Sequence, residues 1–145
     1  MRLPVTFKKK EFICKFFSNP YDLIMDEYQS PSILIIDDEI DFLYTLGMLL
    51  RNDDYRVSTA QEARTGIQLA LSEKPDLILL DVLMPGLSGY EMIKKLKSDP
   101  MTKQIPVIIV TAKDKMEDDF LSEGAAGFVV KPYEYKHIKA MIESA

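Results

Sequence analysis

Short apolar runs, each followed by polar residues, recur along the chain from residue 32 onward. The runs consist mainly of Ile, Leu and Val, and they occupy residues 33–36, 77–80, 107–110 and 128–130. Continuous runs of this length are typical of parallel strands that are buried on both faces. Between them, apolar residues recur at helical spacing, as Leu43, Leu46 and Leu50 do. The pattern therefore predicts buried strands that alternate with helices.

Five strands are predicted. The first three occupy residues 32–37, 55–59 and 77–81, the fourth follows Pro106, and Gly124 and Gly127 flank the entry to the fifth. Their alternation with helices favours an α/β fold, in which helices cover both faces of a doubly wound parallel sheet. Right-handed crossovers leave few topologies. We expect the flavodoxin-like five-stranded order 2-1-3-4-5, which places strands one and three side by side at a switch point.

Five helices are predicted, and three of them cover residues 40–52, 61–72 and 135–144. The third helix opens with the capping box Ser88-x-x-Glu91 and ends at Asp99-Pro100, and the fourth has a weaker cap at Asp114-x-x-Glu117. The residues expected to face inward are Ala63, Ile67, Ala70 and Leu71 on the second helix, and Ile138, Met141 and Ile142 on the last.

Polar residues at the strand ends form the candidate site. Asp37 and Asp38 follow the first strand and Asp81 the third, while Thr111 ends the fourth and Lys131 follows the fifth. Ligands of an open parallel sheet bind outside the carboxyl ends of its strands. We therefore expect three carboxylates, one hydroxyl and one ammonium to converge on one small site.

Three clustered carboxylates repel one another unless a cation joins them. Hard oxygen ligands suit Mg²⁺, and the region has no His or Cys cluster of the kind that zinc or copper prefers. A carboxylate can also attack phosphorus and form an aspartyl phosphate. That reaction needs in-line positioning, Mg²⁺ and a cation on the transferred oxygens. Lys131 would supply the cation, and Thr111 a hydroxyl donor.

These residues closely resemble the response-regulator receiver family of two-component signalling, over about residues 32–145. The resemblance rests on four pieces of sequence, which are residues 35–39 (IIDDE), 80–89 (LDVLMPGLSG), 105–112 (IPVIIVTA) and 130–132 (VKP). They occur in the family's order, and each lies at a predicted strand end. We accordingly expect a receiver domain at residues 31–145, preceded by an N-terminal extension or linker at residues 1–30.

The resemblance implies a role for each residue of the site. Asp81 would accept the phosphoryl group from a phosphohistidine, on a histidine kinase or a histidine phosphotransfer protein. Asp37 and Asp38 would hold Mg²⁺ together with Asp81 and the backbone carbonyl of Leu83. Thr111 and Lys131 would each bind a phosphoryl oxygen.

Further roles follow from the same resemblance. Thr111 and Phe128 would form the conformational switch, and the Lys131–Pro132 peptide bond would be cis. Leu83 and Lys113 occupy the positions that tune the lifetime of the phosphoryl group. The output would be a contact with a downstream protein. A phosphorylation-dependent dimer of the chain is the other form that this contact would take. The segment from Thr111 to Lys131 is about two residues shorter than is usual in the family, so we expect a shortened fourth helix.

Composition narrows the function classes. The chain has 145 residues, 47% of them hydrophobic and 28% charged, which fits one soluble globular domain. Its net charge of −5 gives no indication of direct nucleic-acid binding. The single cysteine, Cys14, cannot form an internal disulfide and fits a reducing, cytoplasmic location. No apolar stretch reaches the roughly 18 residues that span a membrane.

Three other functions remain open at this point. The first is a binding or adaptor module that keeps the receiver fold and is never phosphorylated. A phosphatase of the haloacid-dehalogenase type would need a second acid where Leu83 stands, and a flavodoxin would need a hydroxyl-rich loop where Asp37, Asp38 and Glu39 stand. We expect a phosphoryl acceptor that catalyses its own modification and is not a turnover enzyme.

Overall fold

Five strands alternate with five helices in this computed structural model, which describes residues 30–113 and 115–145. The strands are β1 (Ser32–Ile36), β2 (Arg56–Ala60), β3 (Leu77–Leu80), β4 (Val107–Thr111) and β5 (Gly127–Val130). The helices are α1 (Ile40–Asn52), α2 (Ala63–Glu73), α3 (Gly89–Ser98), α4 (Glu117–Ser122) and α5 (Tyr135–Ser144). The predicted extension at residues 1–30, except for its last residue, lies outside the described part, as does Asp114.

All pairs of neighbouring strands are parallel, and the strand order is β2-β1-β3-β4-β5, as the sequence predicts. Ile36 pairs with Leu80, so β1 and β3 end at the same level. The backbone N–H of Asp81 donates to the carbonyl of Ile36 at 2.9 Å. The residues that follow these two strands are therefore neighbours at the carboxyl edge of the sheet.

Two apolar layers form the core, one on each face of the sheet. Successive strand residues point to opposite faces, so Leu34 and Ile36 join one cluster while Ile33 and Ile35 join the other. The first cluster packs against α2, α3 and α4, and the second against α1 and α5. Because both faces are covered there, the central strands β1, β3 and β4 carry uninterrupted apolar runs at residues 33–36, 77–80 and 107–110.

The inward face of α2 differs from the prediction. The prediction that Leu71 faces inward is wrong, because 36% of the surface of this residue is exposed. Gly66 is buried instead, between Ala63 and Ala70. A Cβ atom on Gly66 would lie 2.6 Å from the side chain of Ile36, so α2 approaches β1 too closely for large side chains. Small residues therefore line the contact, and the leucine turns toward solvent.

The helix boundaries agree with the predictions where local signals are strong. The α1 bounds match, and the capping box of α3 is present, with the Ser88 hydroxyl accepting from the Glu91 N–H at 3.2 Å. Helix α2 begins at Ala63, two residues later than predicted, because the backbone of Glu62 is extended. Helix α4 has six residues and is the shortest of the five described helices. Among the described residues, no helix is long and apolar enough to span a membrane.

Candidate functional site

The three predicted carboxylates meet at the carboxyl edge of the sheet. Asp37, Asp38 and Asp81 each offer an oxygen, and these oxygens all lie within 4.8 Å of one another. Asp37 is fully buried and Asp81 is nearly so, whereas Asp38 is exposed. The expected convergence of the three carboxylates is therefore present, and their oxygens lie close enough together to hold one metal ion.

Backbone hydrogen bonds orient the two buried carboxylates. Asp37 Oδ1 accepts from the N–H of Glu39 at 2.9 Å, and Asp81 Oδ1 accepts from the N–H of Leu83 at 2.9 Å. In both residues the second oxygen, Oδ2, is then directed to the ammonium of Lys131. Tight turns after β1 and β3 thus fix one oxygen and leave the other for charge interactions.

Lys131 is the cation at the centre of this cluster. Its Nζ lies 2.7 Å from Asp37 Oδ2, 3.2 Å from Glu39 Oε1 and 3.6 Å from Asp81 Oδ2. Its backbone N–H donates to the carbonyl of Thr111 at 2.8 Å, and its bond to Pro132 is cis, as the resemblance implies.

Opposing effects act on the pKa values of Asp37 and Lys131. Burial raises the pKa of the Asp37 carboxyl, although the hydrogen bond from Lys131 opposes the change. Burial by itself would lower the pKa of the Lys131 ammonium, but the hydrogen bond and charge of Asp37 outweigh it, and this pKa is raised. Two like charges about 4 Å apart repel by roughly 4 kcal/mol at a surface-like dielectric. One ammonium among several carboxylates leaves an excess of negative charge, which a divalent cation would relieve.

The hydroxyl of Thr111 is buried at the end of β4. The residue is 0% exposed, and within the described part of the chain its Oγ1 has no hydrogen-bond partner. An unsatisfied buried hydroxyl costs about 1–3 kcal/mol. A bound group with an acceptor oxygen at this edge would satisfy it.

Phe128 lies on the same face of the sheet as Thr111. Its strand partner on β4 is Ile109, two residues before Thr111, so the two side chains point to one side. Phe128 is buried, and its ring stacks on that of Phe120 with 6.3 Å between the centroids. Phe120 in turn meets the edge of Tyr90, whose hydroxyl donates to Glu123. A continuous row of ring contacts therefore runs from Phe128, a residue of the predicted switch, through Phe120 to Tyr90.

The two positions predicted to tune phosphoryl lifetime are at the surface. Leu83 follows Asp81 by two residues and is 41% exposed, and Lys113 is also exposed. Two other residues belong to the site without having been predicted as functional. Glu39 and Phe42 both contact the ammonium of Lys131. The available signal was their position at the start of α1, directly after the acidic pair, with Glu39 as the N-cap residue and Phe42 in the first turn.

Comparisons with known proteins point to one family. A family model described as the response regulator receiver domain matches residues 33–143. The protein PilH of Pseudomonas aeruginosa is 39% identical over 104 residues, which cover 70% of this chain and 86% of PilH. The response regulator PleD of Caulobacter vibrioides is 39% identical over 117 residues, which cover 79% of this chain and 26% of PleD. The chain therefore spans about a quarter of the length of PleD.

Solved structures show the same fold. The chemotaxis protein CheY4 of Vibrio cholerae superposes with a TM-score of 0.72 at 26% identity, and the match covers 78% of this chain and 96% of CheY4. The receiver domain of a sensor histidine kinase from Pseudomonas aeruginosa, solved with a magnesium ion coordinated in its active site cleft, superposes with a TM-score of 0.71 at 23% identity. That match covers 78% of this chain and 94% of the receiver domain.

Proposed function

The chain belongs to the family of response regulator receiver domains, and on that basis we propose that it accepts a phosphoryl group on Asp81 in a Mg²⁺-dependent reaction. An oxygen of Asp81 would form a bond to phosphorus while the P–N bond of a phosphohistidine breaks and the imidazole leaves. The observation that carries the proposal is the position of Asp81. Its carboxylate lies beside Asp37 and Asp38 and has one oxygen directed toward Lys131.

The residues present fit a magnesium site. Asp37, Asp38, Asp81 and the backbone carbonyl of Leu83 would hold the ion, which supplies positive charge against the phosphoryl oxygens when bound. The clustered carboxylates and the burial of Asp37 support this assignment, because a buried excess of negative charge favours a hard cation. The related receiver domain with magnesium in its active site cleft is consistent with it.

Thr111 and Lys131 would bind the transferred group. The Thr111 hydroxyl is buried and lacks a partner among the described residues, so a phosphoryl oxygen would give it an acceptor. Lys131 carries the positive charge that would pair with a second oxygen. Phosphorylation would then draw Thr111 toward the phosphoryl group and change the packing of Phe128 on Phe120, which is part of α4. In this way phosphorylation of Asp81 would change the surface that α4 forms.

The donor would be a protein that carries a phosphohistidine, either a histidine kinase or a histidine phosphotransfer protein. Helix α1 begins beside the acidic site, and it exposes three apolar side chains at i, i+4 and i+8, namely Ile40, Tyr44 and Met48. An exposed apolar stripe next to a reactive group suits the docking of a protein donor. The site would accept one group from this donor and pass its effect to a downstream protein.

Intact mass spectrometry tests the acceptor chemistry directly. The protein is incubated with acetyl phosphate and Mg²⁺, in parallel with Asp81→Asn and with a sample in EDTA. One phosphoryl adduct is expected on the unmodified chain only. If no adduct forms even with a phosphohistidine protein as donor, the chain is an unphosphorylated receiver-like adaptor, in which Lys131 serves to neutralise Asp37.

A further inference from the structure

The aromatic ring of Phe42 lies against the ammonium of Lys131. The distance from Lys131 Nζ to the centroid of the ring is 3.9 Å. A cation within about 6 Å of a ring face is attracted by the negative face of the π system. The ammonium that touches Asp37 and Asp81 is therefore also held by an uncharged group.

Phe42 is itself fixed by its neighbours. It lies three residues after Glu39, so the start of α1 directs both a carboxylate and a ring at the same ammonium. The edge of Tyr133 packs on the ring, with 6.1 Å between centroids and an interplanar angle of 86°. Burial raises the pKa of the Tyr133 hydroxyl far above its ordinary value, so the side chain that packs on Phe42 is uncharged. The loop that follows β5 is thereby joined to α1 through the ring.

The ring does not fill a sealed part of the core. Phe42 is half-buried and lines an open cavity of about 600 Å³, together with Leu46, Leu49 and Tyr135. Shortening this side chain would widen an open groove and would not create a closed void. The effect of the ring on Lys131 is thus separable from its effect on packing.

We propose that Phe42 is a positioning residue for Lys131 in phosphoryl transfer, an inference that rests on the function proposed above. When the carboxylates of Asp37 and Asp81 are engaged by a metal ion, the ammonium loses part of the attraction that holds it in place. The contact with the Phe42 ring does not depend on those carboxylates. Phe42 therefore keeps Lys131 at the strand-end edge, where a phosphoryl oxygen meets it.

The test measures phosphorylation by acetyl phosphate at saturating Mg²⁺ for Phe42→Leu and Phe42→Tyr. We expect the rate constant of Phe42→Leu to fall about fivefold, because an energetically significant cation–π contact is lost. Phe42→Tyr keeps a ring and is expected to stay within about twofold of the unmodified chain. Mg²⁺ affinity is expected to change little in both variants, since the carboxylates are intact. Leu49→Ala, which widens the same cavity from the same helix, is the control and should leave the rate unchanged.

A spectroscopic measurement without phosphate locates the contact. The ring current of Phe42 should shift the ε-methylene protons of Lys131 upfield in the unmodified chain and in Phe42→Tyr, but not in Phe42→Leu. If thermal melting shows that Phe42→Leu is unfolded, Phe42→Met takes its place with the same expectations. A variant without a ring that is phosphorylated at the normal rate overturns the inference, as does a Phe42→Tyr variant that is as slow as Phe42→Leu. An unmodified chain that takes no phosphoryl group refutes instead the proposed function.

Discussion

Lys131 Nζ lies 2.7 Å from Asp37 Oδ2, although the two residues are 94 positions apart in the sequence. Asp37 follows β1 and Lys131 follows β5, and two other strands separate these in the sheet. The long lysine side chain spans that gap and reaches an acid that is fully buried. This ion pair links the edge strand β5 to the cluster of carboxylates that follows β1 and β3.

Mg²⁺ is expected to stabilise the folded chain against heat. A ligand at about ten times its dissociation constant adds roughly 1.4 kcal/mol of stability, which corresponds to an increase of about 4 °C in Tm for a domain of this size. Asp37→Asn and Asp38→Asn should lose most of the increase, because each replaces a charged carboxylate with a neutral amide. Asp41→Asn changes an exposed acid on α1 outside the cluster and should keep the increase. Equal increases in all four proteins would contradict a site at these carboxylates.

Two buried threonines should respond in opposite ways to replacement by valine. Thr102 Oγ1 donates to the carbonyl of Leu96 at 2.7 Å, whereas Thr111 Oγ1 has no partner among the described residues. Thr102→Val should lower the free energy of unfolding by about 1–3 kcal/mol, while Thr111→Val should leave it unchanged or raise it. Urea denaturation without phosphate donor measures both. If Thr111→Val is as destabilising as Thr102→Val, the hydroxyl of Thr111 is not an unsatisfied group awaiting an acceptor.

Two helical glycines should also differ when replaced by alanine. A Cβ on Gly66 would meet the side chain of Ile36 at 2.6 Å, and Ile36 is fully buried directly before Asp37. We expect Gly66→Ala to destabilise the fold by about 1–3 kcal/mol, because overpacking exceeds the gain in helix propensity. On Gly47 the nearest atom, at 3.2 Å, is the flexible end of Arg51, so Gly47→Ala should stabilise α1 by about 0.5–1 kcal/mol. Thermal unfolding of both variants decides whether close packing of α2 on β1 limits this position.

A polar clamp between α1 and α5 should make stability depend on pH. Asp53 accepts from Lys139 at 2.9 Å and from the Tyr135 hydroxyl at 2.8 Å, and these hydrogen bonds lower the pKa of its carboxyl. Because the folded pKa lies below the unfolded value of about 3.9, the stabilisation is present above that value and is lost as the pH falls through the folded pKa. Asp53→Asn should therefore be less stable than the unmodified chain at pH 7. The difference in urea midpoint should shrink toward pH 3, and a difference that persists unchanged at that pH would contradict this assignment.

Leu83 and Lys113 are expected to slow the loss of phosphate from Asp81. Both are exposed at the two positions that flank the acidic edge, where they would hinder an attacking water molecule. Replacement of both by alanine should accelerate the decay of the phosphorylated protein severalfold. The decay is followed by intact mass after removal of the donor. A double variant that decays no faster than the unmodified chain would exclude this role for the two side chains.

Most of the fold follows from the local pattern of the sequence. Each buried strand carries its own apolar run, and α3 carries its own capping box, so neither signal depends on distant residues. The prediction for Leu71 is wrong because helical spacing does not report how closely two elements approach. The face of α2 depends on Ile36, which lies 30 residues before Gly66 and belongs to another element.

The sequence by itself determined the order of the strands and helices and the presence of a polar residue at each site-forming strand end. Only the tertiary structure decided which side chains share the charge of Lys131, namely Asp37, Asp81 and Glu39, and that Phe42 covers it. Periodicity reports the local preference of the backbone over one or two turns. A contact between α1 and the loop after β5 depends instead on strand order, crossover handedness and the reach of individual side chains, which no local pattern encodes.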